Sequence, residues 1–201
     1  MNLKKAYLLI IVVLLIDQAS KIYVKTHFQL GESVEVFNWF KIHFVENNGM
    51  AWGMEIPGSY GKLFLSLFRI GAIGAIGYWL WDSIRKKASD ILIICIALIF
   101  AGALGNQLDS TFYGLFFDHS NGQIASFLPE SGGYQKMFYG KVVDMFYFPL
   151  YEGVLPEWIP IKGGFYFSFF DPVFNVADSA ISVAVMLLII FNKTVFPKDE
   201  K

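Results

Sequence analysis

The 201-residue chain is 55% hydrophobic and only 16% charged, whereas a soluble domain carries about 25% charged residues. Its 16 basic and 17 acidic residues nearly cancel, which excludes the clustered positive surface needed to bind nucleic acid. The single cysteine, Cys95, excludes an internal disulfide. The three histidines share no helical or metal-ligand spacing, so a zinc site is not expected.

A bilayer core about 30 Å thick requires roughly 20 mostly apolar residues in a helix. The first candidate span, about 6–24, is wholly apolar over residues 6–16 and follows Lys4 and Lys5, as in the n- and h-regions of a secretory signal. It then runs into Asp17, Gln18 and Lys21 rather than a small-residue cleavage site, and so reads as an uncleaved helix. The second span, about 63–81, is apolar apart from Ser66 and Arg69. The third, about 91–108, carries no charge and holds Asn106 and Gln107 near its end. The fourth, about 173–191, is interrupted by Asn175, Asp178 and a few serines.

Basic residues set the orientation. Lys4 and Lys5 precede the first span, Arg85, Lys86 and Lys87 link the second to the third, and Lys193, Lys198 and Lys201 follow the fourth. All belong on the cytoplasmic side, which leaves the connections at about 25–62 and 110–172 outside. Within the first, residues 34–45 are β-branched and aromatic with partial two-residue alternation, which predicts one or two strands. Residues 46–49, Glu-Asn-Asn-Gly, read as the turn closing them. The second connection is too aromatic for a disordered linker and is punctuated by glycine and proline, suggesting a folded platform on the membrane. The expectation is a mainly α membrane protein forming one integral domain. It has four transmembrane helices, a small β-containing outer (periplasmic-side) subdomain and an extended outer loop.

Acidic and amide side chains collect at the outer span ends: Asp17, Asn106, Asp109, Asn175 and Asp178, with Asp144 inside the apolar run 142–146. Helix capping accounts for Asn106 and Asn175. Carboxylates in or near a span are costly and mark functional sites. Two that lie close together share a proton, and such a pair can take a proton from water and return one to a leaving amine. On chemistry alone, a proton or cation pathway remains an equal alternative.

Five motifs then resemble the lipoprotein signal peptidase (signal peptidase II) family. Asp17-Gln-Ala-Ser-Lys21 resembles its D-Q-x-x-K element, and residues 47–53 resemble its N-x-G-x-A-[FW] turn. Residues 102–109 resemble G-x-x-G-N-x-x-D, residues 140–144 resemble G-x-V-x-D, and residues 174–179 resemble F-N-x-A-D-S. The resemblance covers most of 17–181 and implies a membrane aspartic endopeptidase of the bacterial inner membrane. Such an enzyme removes the signal peptide from prolipoproteins just before a diacylglyceryl-modified cysteine. It implies Asp144 and Asp178 as the catalytic dyad and no cofactor. Asn47, Gly49, Asn106, Asp109, Asn175 and Ala177 shape the site, and Asp17 and Lys21 support it structurally. The implied partners are the prolipoprotein and membrane lipid, and one chain suffices to assemble the pair, so a monomer is expected.

Two departures stand out. The family's D-R pair is Asp109-Ser110 here, and Arg69 is the candidate to supply the missing charge. Asp109 and Asp144 are 35 residues apart, and the insertion at about 111–139 adds many aromatic rings to a connection that is short in the family. The rival readings are a proton-coupled transporter, which would place acids near the midplane and show repeated halves, and a non-catalytic membrane scaffold.

Overall fold

Among the described residues of the computed structural model, three helices are long and apolar enough to cross a membrane: Leu3–His27, Gly61–Arg85 and a third beginning at Asp90. The structure describes residues 1–49, 60–149, 151–154, 156–158, 164–169 and 172–196.

Helix α1 (Leu3–His27) starts where the Asn2 side chain accepts from Lys5 N at 3.0 Å and ends at the extended Phe28. Its C-terminal half turns one polar stripe inward, for Asp17, Lys21 and Lys25 recur every four residues and are completely buried. Helix α2 (Gly61–Arg85) leaves Phe64, Leu67, Phe68, Tyr78 and Trp81 exposed on its surface, as suits a helix that faces lipid. Helix α3 (Asp90–Leu108), capped by Ser89, is the central post against which α1, α2 and the last apolar helix pack.

Close approach at this post depends on missing side chains. A Cβ on Gly102 would stand 2.4 Å from the Ala177 carbonyl oxygen, and one on Gly105 would stand 2.7 Å from Asp17 Oδ2. Small residues that let backbones meet are the usual solution where no water drives helices together. Beyond Leu108 the helix widens into a single π turn, Asp109–Tyr113, before the short helix α4 (Gly114–Phe116). Such turns recur at functional sites.

The insertion folds back on this helix end instead of leaving it. Phe117 bridges Phe127, Leu128 N donates to Phe116 O at 2.7 Å, and Gln135 N donates to Gly114 O at 2.9 Å. Gly140 then passes so close that a Cβ there would lie 2.3 Å from Asp109 O.

That approach launches a central strand of the main sheet. Strands β1 (Ser33–Phe37), β2 (Phe40–Asn47), β3 (Val142–Tyr147) and β6 (Val173–Phe174) form an antiparallel sheet in the order β1-β2-β3-β6. A separate hairpin pairs β4 (Tyr151–Val154) with β5 (Tyr166–Phe169). Val143 and Met145 pack with Val24, Phe44, Tyr113 and Phe117 in a core beneath the sheet. The side-chain alternation of a strand turns Asp144 to the opposite face.

The strand prediction for 34–45 is met, with one difference. Strand β2 runs through Glu46 and Asn47, which the sequence reads as turn, because both side chains find buried partners. Val173 and Phe174 pair with β3 rather than starting a helix. The last long apolar helix, α5, is therefore Val176–Ile190, 15 residues and shorter than the other three. It is followed by the short α6 (Asn192–Val195).

Candidate active site

Asp144 and Asp178 reach the site from different elements, a strand and a helix start. Asn175 is the N-cap of α5: its side chain accepts from Asp178 N at 3.0 Å, and Asp178 Oδ2 accepts from Asn175 N at 3.4 Å. This reciprocal capping box fixes the Asp178 carboxylate at the positive end of the helix. The Asn175 amide in turn donates to Asp144 Oδ1 at 2.7 Å. One asparagine thus ties both carboxylates to the same helix turn.

Each aspartate has a second amide partner. Asn106 Nδ2 donates to Asp178 Oδ1 at 2.8 Å, while Asn47 Nδ2 donates to Asp144 Oδ2. Asn106 is oriented by Lys21, whose ammonium donates to Asn106 Oδ1 at 2.8 Å. Asn47 is oriented by Gly49 N, which donates to Asn47 Oδ1. Gly49 has φ +88°, a left-handed conformation that a residue with Cβ adopts only at a cost.

Behind the pair lies a buried charge cluster. Lys21 Nζ contacts Asp17 Oδ2 and Asp109 Oδ2, each at 2.9 Å. Gln18 donates to Asp109 Oδ1 at 2.9 Å and accepts from the Tyr113 hydroxyl at 3.2 Å. Asp109 Oδ2 accepts from Val143 N at 3.3 Å, linking the π turn to the strand that carries Asp144. The cation paired with Asp109 is Lys21. Ser110, which stands where the family pattern has arginine, donates to Asn106 O at 3.1 Å. Arg69 donates to the Gly49 carbonyl and stands near enough to Asp178 to attract it. It therefore supplies charge beside Asp178 rather than beside Asp109.

Burial first, and then the neighbouring Asp178 charge, pushes the Asp144 carboxyl up to about 7. A carboxyl of that kind still holds a proton near neutrality. A protonated carboxyl with a second carboxyl on the same asparagine is an arrangement able to supply general acid–base chemistry.

The sequence-derived site residues Asn47, Gly49, Asn106, Asp109, Asn175, Ala177, Asp17, Lys21 and Arg69 therefore fall into one connected network around Asp144 and Asp178. Sequence reasoning assigned no role to Gln18, Lys25, Glu46 or Ser120. For Lys25 a signal existed, since it continues the four-residue spacing of Asp17 and Lys21 along α1.

The family model for signal peptidase (SPase) II matches residues 9–193. The lipoprotein signal peptidase of Porphyromonas gingivalis is 54% identical over 183 residues, spanning 90% of this chain and 80% of that protein. That of Amoebophilus asiaticus is 34% identical over 190 residues, spanning 92% and 76%. Two solved structures described as bacterial membrane enzymes superpose with TM-scores of 0.64 and 0.62. They are 25% and 26% identical, with 99% and 98% of this chain covered and 94% and 95% of theirs. With a match over nearly its whole length and the acid pair held as described, the chain belongs to the signal peptidase II family of membrane proteases.

Proposed function

We propose that the chain removes signal peptides from diacylglyceryl-modified prolipoproteins at the outer face of the bacterial inner membrane, cutting just before the lipidated cysteine. The observation that carries this reading is the pair of carboxylates joined through Asn175, with Asp144 raised to about 7 by burial and by Asp178. One proton is shared by the two acids. Asp178, at the positive end of α5, takes a proton from the water that adds to the scissile carbonyl carbon. Protonated Asp144 donates to the carbonyl oxygen. When the tetrahedral adduct collapses, the C–N bond breaks and a proton from the pair goes to the leaving cysteine amine.

The remaining site residues have supporting roles in this scheme. Asn47, Asn106 and Asn175 aim the carboxylates, Gly49 permits the turn behind Asn47, and Asp109, Asp17 and Lys21 fix the outer end of the helix bundle. Helix α5 serves as the fourth span, with both termini cytoplasmic. A single chain carries all of these groups, so the working unit is a monomer.

The test uses the purified full chain in lipid, with a prolipoprotein supplied with and without its diacylglyceryl group. Wild type is expected to cleave only the lipidated form, while Asp144→Asn and Asp178→Asn remain folded and inactive. Cleavage persisting in either variant would overturn the dyad.

A further inference from the structure

Outside the acid pair, the side chain of Glu46 is gathered by three other segments. Its Oε1 accepts from Lys25 Nζ of α1 and, at 2.9 Å, from Ser120 Oγ of the inserted loop. Lys141 Nζ, just ahead of β3, stands 3.5 Å from Oε2. Lys25 also donates to Ser120 Oγ at 2.9 Å and lies over the rings of Phe117 and Tyr134 at 5.4 and 5.1 Å. The Lys25 side chain is fully buried, and that of Glu46 is 4% exposed.

A buried ion pair is an inefficient device for stability alone, because apolar residues of similar size often serve as well. Its position indicates what it fixes. Glu46 immediately precedes Asn47, whose amide donates to Asp144 Oδ2. Asn47 is the last residue of β2, so the ladder beyond it gives no support. After an irregularity between Ile42 and Val45, the ladder of β2 on β3 resumes for three pairs, Val45 on Asp144, Glu46 on Val143 and Asn47 on Val142. The Lys25–Glu46–Ser120 cluster adds a side-chain clamp to this short run, one residue before the strand ends at Asn47.

We infer that Glu46 is a positioning residue, gripped by Lys25 and by Ser120 of the inserted loop, that holds Asn47 against Asp144. The insertion at 111–139 thereby takes part in aligning the acid pair. This inference rests on the dyad reading above.

The experiment is a double-mutant cycle on the full chain in lipid, with kcat and KM measured on the lipidated prolipoprotein at enzyme concentrations high enough to read residual rates. Glu46→Gln and Ser120→Ala are each expected to lower kcat on the order of tenfold, the scale of a small misalignment. KM should change by less than about twofold, since substrate contacts are intact. In an Asn47→Ala background neither change should lower kcat further, because the residue through which they act is gone. Multiplicative losses in that background, or an unaltered kcat in Ser120→Ala, overturn the proposal. Ser120→Ala leaves the ion pair in place, so it carries the test if Glu46→Gln does not fold. An inactive Asp144→Asn alongside multiplicative losses would sink the positioning role alone, whereas an active Asp144→Asn would sink the dyad reading itself.

Discussion

The Asp17 carboxylate accepts from the backbone N–H of Ala177 at 2.9 Å, so α1 caps α5 right beside Asp178. Its other oxygen meets Lys21 at 2.9 Å and Gln18 at 3.1 Å. A negative group at a helix start satisfies an orphan N–H and complements the helix dipole. The bond also ties the acid-bearing turn of α5 to a charge cluster that itself holds Asn106 through Lys21.

Asp17→Ala removes that cap and leaves Lys21, buried, with Asp109 as its remaining carboxylate. Leaving a buried charge short of a partner costs about 3 kcal/mol, so a clear fall in the unfolding midpoint in detergent is expected. Gly105→Ala should produce a milder version of the same defect, because its Cβ would press on Asp17 Oδ2. A midpoint unchanged in both variants would show that the Asp17–Ala177 bond carries no stability.

Asn175 serves both acids at once, and its replacements separate the two services. Asn175→Ala loses the cap on α5 and the bond to Asp144. Asn175→Ser keeps an oxygen able to cap but not an amide that reaches Asp144. A drop in kcat of about a hundredfold is expected for both, the scale of misplacing a reacting group. Only the alanine variant should also lose stability. Equal midpoints with equal kcat losses would mean that the cap is dispensable.

The raised Asp144 carboxyl makes a signed prediction. Its ordinary value is 3.8 and its value in the folded protein is about 7, through burial first and the Asp178 charge second. Between those values the folded state holds a proton that the unfolded state has released. The contribution to stability is therefore full below 3.8 and is lost as pH rises through about 7. Cleavage should decline over the upper part of the same window, as the protonated form disappears. In Asp178→Asn the Asp144 titration, followed by its carboxyl stretch in infrared difference spectra, should move down. It should stay above the ordinary carboxylate range, because burial is the larger cause. Glu46 has the opposite sign: burial opposes its ionisation, but Lys25, Ser120 and Lys141 together hold it below the ordinary range. Its contribution is present above that range and is lost as pH falls through its depressed value.

Much of this site is legible in the sequence because its costliest residues are out of place there. An aspartate in the run 142–146 or in an apolar helix demands a reason, and Asp144 and Asp178 stand out for it. Glu46 and Lys25 do not, since each reads as an ordinary charge at an element end. Their burial depends on Ser120, which lies 74 residues from Glu46 and 95 from Lys25. Pairing with Val143 and Val142 of β3 keeps Glu46 and Asn47 in strand β2 where local residue preference indicates a turn. The π turn at Asp109–Tyr113 has no sequence mark either, because it forms where α3 meets the strand that starts at Val142.

Gly49 and Arg69 form a coupled pair that a second cycle can resolve. Arg69 donates to Gly49 O, and a Cβ on Gly49 would lie 2.5 Å from Arg69 Nη1. Gly49→Ala therefore suffers twice, from the left-handed φ, at roughly 1–2 kcal/mol, and from the guanidinium in its path. Arg69→Ala removes the obstacle and the bond together, and also takes a positive charge from beside Asp178. Each single variant is expected to lower kcat/KM. The double variant should retain more activity than the product of the two losses, because the collision is counted in only one background. Arg69→Lys keeps the charge but not the planar donor fork, and should fall between wild type and Arg69→Ala. Strict multiplicativity in the cycle would mean that Arg69 and Gly49 act independently, and that the turn behind Asn47 is held by its own backbone.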